Sequence, residues 1–270
     1  RLPRSSRCRR FCWSAATCDA AGQPSYRPFA SAEAGNDPRH YDGAFALDNP
    51  ENPFLDWSQI FVSYCTGDVH LGAAEASYTR PDGSEFTIHH RGWANSMAAL
   101  DYLFTHFSAP ERVVVAGGSA GALSSPVFAA IVARQYPDAA VVQFAGGGAG
   151  NHTDATLTIP DLYRLAFRAA PALRFHQFDH AYDAVQEDFH RMLGQPVELL
   201  PGLDANRAEL QADIPSLGTY VAAGEFHTLL RYSELYSRET AGVRAVDWVR
   251  ALIAGEDVAD VHCGEPGACR

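Results

Sequence analysis

The chain has 270 residues and 47% hydrophobic content, enough material for one large core. Its net charge of −11 argues against nucleic acid as a partner, and no apolar run approaches the roughly 18 residues that a membrane-spanning helix needs. All 21 basic residues are arginine, which excludes a Ser-Lys dyad and lysine Schiff-base chemistry.

Read from the front, residues 1–11 stand apart. Arg1, Arg4, Arg7, Arg9 and Arg10 crowd there with no acid before Asp19, and the first residue is not Met. The segment reads as a solvated basic tail or a truncated or misread start, ahead of one domain over residues 12–270. The cysteines are Cys8, Cys12, Cys18, Cys65, Cys263 and Cys269. They contain no C-x2-C pair, so the spacing disfavours zinc and predicts short disulfide loops, Cys12–Cys18 and Cys263–Cys269, with Cys65 joined to Cys8 or buried and free. Disulfides imply an oxidising compartment, secreted or periplasmic.

Residues 19–58, rich in Pro, Asp, Asn and Gly, read as loop. Gln59–Tyr64 is predicted as a buried strand and Cys65–His70 as the turn at its end. Phe86–His89 is a strand after the Pro81-Asp82-Gly83 turn. Asn95–Phe107 fits a helix capped by Asn95, with Met97, Leu100, Leu103 and Phe104 on one face. Arg112–Ala116 is β-branched and reads as a parallel strand, followed by a helix over Leu123–Tyr136. Val141–Ala145 is a further strand, ending in Gly146-Gly147-Gly148. Then come a strand at Arg174–Phe178, helices over Tyr182–Leu193 and Leu203–Ala212, a last strand at Thr219–Ala222, and an amphipathic helix over Val243–Ala254. Strands alternating with helices predict an α/β fold, a mostly parallel central sheet with helices on both faces.

Between the Arg112 strand and its helix lies Gly117-Gly118-Ser119-Ala120-Gly121, a G-x-S-x-G sequence in the strand–turn–helix context that a nucleophile elbow requires. Ser119 is the candidate nucleophile, and the Ala120 amide at the helix start is a candidate oxyanion donor. A serine nucleophile needs an imidazole to take its proton and an acid to orient that imidazole. His227 fits the base, since it follows the Thr219–Ala222 strand in a short Gly-containing loop. His152, His176, His180 and His190 come earlier, and His262 sits in a tail. Asp179 and Asp183 both follow the Arg174–Phe178 strand, and spacing alone does not separate them. Asp68 and His70 read equally as pocket lining or as a turn held by an Asx hydrogen bond. His89 and His90 are adjacent on a strand, point to opposite faces, and do not form a metal pair.

Linked motifs add to this. Asn52-Pro53-Phe54 with Trp57, Tyr64-Cys65-Thr66-Gly67-Asp68-Val69-His70, Arg91-Gly92-Trp93-Ala94-Asn95 and Gly118-Ser119-Ala120-Gly121 occur in order. Ala181-Tyr182-Asp183 with Gln186, and Gly224-Glu225-Phe226-His227-Thr228, follow them. Together, over roughly residues 12–269, they resemble the pectin acetylesterase/Notum family of serine hydrolases, its bacterial members most closely. The resemblance implies an α/β-hydrolase-like core with Ser119 as nucleophile, His227 as base and Asp183 as acid, and no metal or cofactor. It implies carboxylic-ester hydrolysis, typically removal of acetyl groups from polysaccharide such as pectin, while the animal branch removes a fatty acyl group from a protein. The expected partner is an acylated carbohydrate or small ester, and the expected state is a monomer.

Two departures accompany the resemblance. The family carries Gly-Gly ahead of the positions matched by Cys12 and Trp13, and this chain has Cys8-Arg9-Arg10-Phe11 there. The second oxyanion donor then falls to the amide of Arg10 or Phe11, with Trp13 beside the candidate pocket. Gly146-Gly147-Gly148 stands where the family tends to carry an Asp. The contrasting readings are a catalytically impaired member serving as a carbohydrate- or protein-binding module, and a peptidase or thioesterase built on the same three residues.

Overall fold

The computed structural model describes residues 11–12, 14–19, 26, 37–148, 158–192, 194 and 198–270. Chain contacts divide it into two units, Arg1–Asp37 with Ile60–His106, and Pro38–Gln59 with Phe107–Arg270. Cys8, Arg10, Trp13 and His152 lie outside the described residues.

In the first unit, Ser14 caps the short helix α1 (Ala15–Cys18), its hydroxyl accepting from Thr17 N–H. The predicted Cys12–Cys18 disulfide spans that turn. Strands β1 (Ala74–Thr79) and β2 (Glu85–His90) form an antiparallel hairpin, whose first strand the sequence pattern did not reveal. His89 and His90 turn to different partners, His89 Nδ1 lying 3.0 Å from Glu75 and His90 Nδ1 3.0 Å from the Thr66 carbonyl. Helix α2 (Gly92–His106) begins earlier than predicted, so Asn95 is an exposed first-turn residue and not its cap. The Gly92 N–H instead donates to Asp68 Oδ2 at 2.8 Å, a cap supplied from a distant turn that local sequence cannot signal. The predicted strand over Gln59–Tyr64 does not form. Residues 58–65 are irregular and exposed to half-buried, because a short apolar run becomes a strand only where a partner edge receives it.

The second unit holds the sheet. Strand β3 (Arg112–Gly118) leads into helix α3 (Ala120–Gln135), and β4 (Ala140–Gly146) precedes α4 (Ile159–Ala169). Then follow β5 (Arg174–His180), α5 (Ala184–Met192), α6 (Leu199–Asp213) and β6 (Gly218–Ala222). The one-turn helix α7 (Glu234–Ser237) and the small hairpin β7 (Glu239–Thr240) and β8 (Val243–Arg244) lead to α8 (Ala245–Ala254), which starts just after the predicted Val243. A final strand, β9 (Val261–His262), extends the sheet beyond β6, where the sequence showed no later strand. Among the described residues the sheet has five strands in the order β3-β4-β5-β6-β9, and every pairing is parallel.

Alternation along the strands assigns the faces. Val142, Phe144, Phe178 and Tyr220 pack with Trp248, Val249, Leu252 and Ile253 of α8. Residues of opposite parity meet α3, α4 and α6. Gln143 bonds Ser125 at 2.7 Å, Phe175 lies against Tyr163, and Val221 packs with Leu199 and Leu203. Helices therefore cover both faces, as the α/β reading predicts. The inner strands β4 and β5 are sheltered on both sides and buried almost throughout, whereas the edge strand β3 is exposed to half-buried.

His176 belongs to the α8 face. It is 3% exposed, its Nδ1 is 3.2 Å from the Gln143 carbonyl and its ring meets Trp248 edge-on. Burial pushes its pKa down from the ordinary 6.5 to about 4. A depressed folded pKa contributes stability that is present above about pH 6.5 and lost as pH falls through about 4, amounting to about 3 kcal/mol across that window. Urea unfolding at pH 7 and pH 4.5 should show a smaller pH-dependent loss in His176→Gln than in the parent chain. Parallel losses in the two proteins would remove His176 from the acid transition.

Candidate functional site

Gly117 lets β3 pass close to the backbone of Gly121 at the start of α3. A Cβ on Gly117 would stand 2.0 Å from the Gly121 carbonyl oxygen, so only glycine fits there. Between them Ser119 takes φ 55° and ψ −118°, an arrangement costing about 1–3 kcal/mol in a non-glycine residue. Its N–H donates to the Gly146 carbonyl at 2.8 Å, which ties the turn to the end of β4. The strain holds the serine at the C-terminal edge of the sheet, and Ala120, as the first residue of α3, has an N–H that no intrahelical carbonyl accepts.

The end of β5 and the loop after it supply the acids. Asp183 is fully buried, and its Oδ1 accepts from the N–H groups of Val185 (3.0 Å) and Gln186 (3.2 Å) at the start of α5. Its Oδ2 meets His227 Nδ1 at 2.6 Å. Asp179, the penultimate residue of β5, faces elsewhere. Its Oδ1 accepts from the Gly148 N–H at 3.1 Å and from Gln186 Nε2 at 2.9 Å. The two acids that spacing could not separate thus have different partners, and Asp183 is the one bonded to His227.

The His227 loop is stitched to the Asp183 loop by backbone. Ala181 N–H donates to Ala222 O (2.8 Å), Tyr182 N–H to Gly224 O (3.0 Å) and Ala184 N–H to Glu225 O (3.3 Å). The Cys263–Cys269 disulfide loop, predicted from the sequence, braces both. Gly224 N–H donates to Cys269 O at 2.8 Å and the Tyr182 hydroxyl to Pro266 O at 3.1 Å. Beneath them His180 is 1% exposed, its Nε2 3.7 Å from Glu234 and its ring edge-on to Phe226. Burial pushes the His180 pKa below the usual imidazole range, and Glu234 opposes that shift.

The role of Gly146-Gly147-Gly148, unassigned by the sequence, is steric. Gly147 has φ +73°, and a Cβ on it would stand 3.1 Å from the His227 ring. Thr228, next to the imidazole, has φ +66° and lies against Gly118, where a Cβ would meet its Cγ2 at 3.2 Å. The ends of β3, β4, β5 and β6 therefore converge on one edge, which carries Ser119, Gly147, Asp183 and His227. A hydroxyl on a strained turn, an imidazole and a buried carboxylate bonded to that imidazole are the parts of nucleophilic acyl chemistry.

The remaining predicted residues behave differently. His262 pairs through Nε2 with Asp204 at 3.0 Å. Although His262, Cys263 and Cys269 lie close together, the two sulfurs are bonded to each other, which removes them as metal ligands. In the first unit, Asp68 accepts from the Thr66 hydroxyl (2.8 Å), His70 N–H (3.2 Å) and Gly92 N–H (2.8 Å), the Asx-turn pattern extended to a helix cap. Val69 and His70 both have positive φ, His70 packs against Tyr64, and burial pushes its pKa down. Phe11 is half-buried in this unit, and Cys12 N–H beside it donates to Gly67 O at 2.8 Å.

A family model described as pectinacetylesterase matches residues 10–170. Among solved structures, the Wnt deacylase Notum from Drosophila superposes with a TM-score of 0.51 and 14% sequence identity, covering 82% of this chain and 75% of that one. At that identity the likeness is one of fold. No curated protein sequence matches the chain.

Proposed function

The chain belongs to the pectinacetylesterase family and is a carboxylic ester hydrolase acting on acyl groups; from that premise we propose that it removes acetyl groups from a polysaccharide such as pectin, using Ser119, His227 and Asp183. The 2.6 Å bond between Asp183 Oδ2 and His227 Nδ1 is the observation that carries the reading. It holds the Nδ1–H tautomer, leaving Nε2 to take a proton.

In this reading Ser119 Oγ attacks the ester carbonyl carbon while its proton passes to His227 Nε2. The Ala120 N–H donates to the developing oxyanion. Collapse expels the sugar hydroxyl, which leaves with the proton from His227. Water, deprotonated by His227, then attacks the acyl-serine, releasing acetate and restoring the serine hydroxyl. Two disulfides fit a protein that works outside the reducing cytosol, and we take it to be exported.

Acetate release from acetylated pectin and acetylated xylan, measured beside p-nitrophenyl acetate hydrolysis, tests the substrate. Release from a polymer that depends on Ser119 is the expected result. Hydrolysis of the small ester without release from either polymer would redirect the search to another acylated partner. Gly147→Ala tests the geometry, because its methyl group would press on the imidazole. A displacement of this kind should lower kcat by about 10- to 100-fold, and an unchanged kcat would mean that the His227 ring position is not limiting.

A further inference from the structure

Gln186 is 1% exposed, on the first turn of α5, and its side-chain nitrogen does something the three-residue mechanism leaves unexplained. Nε2 donates to Asp183 Oδ2 at 3.1 Å and to Asp179 Oδ1 at 2.9 Å. One amide therefore bridges two buried carboxyl groups. The Asp183 oxygen it reaches is the same one that His227 Nδ1 reaches. The Asp179 oxygen it reaches also accepts from Gly148 N–H, in the segment whose Gly147 lies against the His227 ring.

Building from these contacts, we propose that Gln186 is a positioning residue that clamps the acid loop to the Gly147–Gly148 segment through Asp179, so that one hydrogen-bonded unit sets both the Asp183 oxygen presented to His227 and the room left for the imidazole. This rests on the Ser119–His227–Asp183 reading and adds two side chains to it. The chemistry explains the residue type. A glutamine amide is neutral and carries two N–H bonds on one atom, so it can satisfy two carboxyl oxygens without adding charge. A glutamate would bring a third carboxyl group, and an aliphatic side chain would leave two buried acceptors short of a donor. Asp179 is then no alternative acid. It is the anchor at the far end of the bridge, held near the end of β5.

The bridge also tempers the imidazole. An N–H donated to Asp183 Oδ2 withdraws negative charge from the oxygen that stabilises the imidazolium, so its loss should raise the His227 pKa. In Gln186→Leu, kcat is expected to fall about 10- to 100-fold. KM should stay within about twofold, since a buried residue does not touch substrate. The acidic limb of kcat/KM should move to higher pH, and the His227 Nδ1 proton resonance should shift. Gln186→Glu supplies a second, pH-dependent arm. Its protonated form donates and fits, and its ionised form repels both acids. Activity in Gln186→Glu should therefore exceed that of Gln186→Leu near about pH 6 and be lost between about pH 7 and pH 9, as the raised carboxyl ionises.

Gln186→Leu with unchanged kcat and an unmoved acidic limb would overturn the proposal, as would a Gln186→Glu profile matching the parent. If Gln186→Leu fails to fold, the pH profile of Gln186→Glu decides alone. Ser119→Ala run in parallel separates the two levels. An inactive Ser119→Ala beside indifferent Gln186 variants sinks the clamp only, whereas an active Ser119→Ala sinks the underlying mechanism.

Discussion

Ser119→Ala is expected to lower p-nitrophenyl acetate hydrolysis on the order of 10⁵-fold or more, down to the level that binding and oxyanion donors alone provide. The physical reason is local. The strained φ of 55° places this hydroxyl at the sheet edge on which the Asp183 and His227 loops converge. Alanine removes the proposed nucleophile and leaves the turn, because the Ser119 N–H bond to Gly146 O is a backbone bond. The variant should therefore keep its melting temperature within a few degrees, since removing one half-buried hydroxyl changes stability little. A fluorophosphonate probe should label the parent chain and spare the variant, with the labelled peptide containing Ser119. Labelling that persists in Ser119→Ala would place the nucleophile elsewhere.

Asp183→Asn is expected to cost about 10⁴-fold in kcat with the fold retained. Asp183 Oδ1 already accepts two backbone N–H groups at the head of α5. An asparagine keeps its single oxygen there and turns its NH₂ toward His227 and Gln186. Nδ1 of His227 then has a donor opposite it, the ring adopts the Nε2–H tautomer, and Nε2 can no longer take the proton that the proposed mechanism gives it. Asp179→Asn is the matched control, since Asp179 bonds Gly148 and Gln186. A larger kcat loss in Asp179→Asn than in Asp183→Asn would transfer the acid role to Asp179.

The elbow was legible because its requirements are local. The β-branched run before Ser119, glycines at 117 and 121 and an Ala-rich helix behind them are consequences of a tight strand-to-helix crossing. The parallel strands were legible for a similar reason, since burial on both faces leaves continuous apolar runs such as Val141–Ala145. The two terminal disulfides followed from short cysteine spacing. Failures occurred where a residue depends on a distant partner. Gln59–Tyr64 has strand composition without a strand, Gly92 is capped by Asp68, and β9 is two residues whose only signal is the β6 edge beside them.

Local patterns were enough for the α/β class, the strand–turn–helix at Ser119 and a short roster of acids and imidazoles, because periodicity and turn chemistry act within a few residues. Motif resemblance chose Asp183 over Asp179, but spacing held no physical reason for the choice. Tertiary structure gives the two carboxylates different partners. Adjacent strand ends in the order β3-β4-β5-β6 bring residues 44 positions apart to within 2.6 Å, bond Asp183 and not the nearer-strand Asp179 to His227, and turn an unexplained glycine run into clearance for an imidazole ring. Hydrogen bonds between loops depend on where the sheet delivers their ends, and no local pattern encodes that meeting.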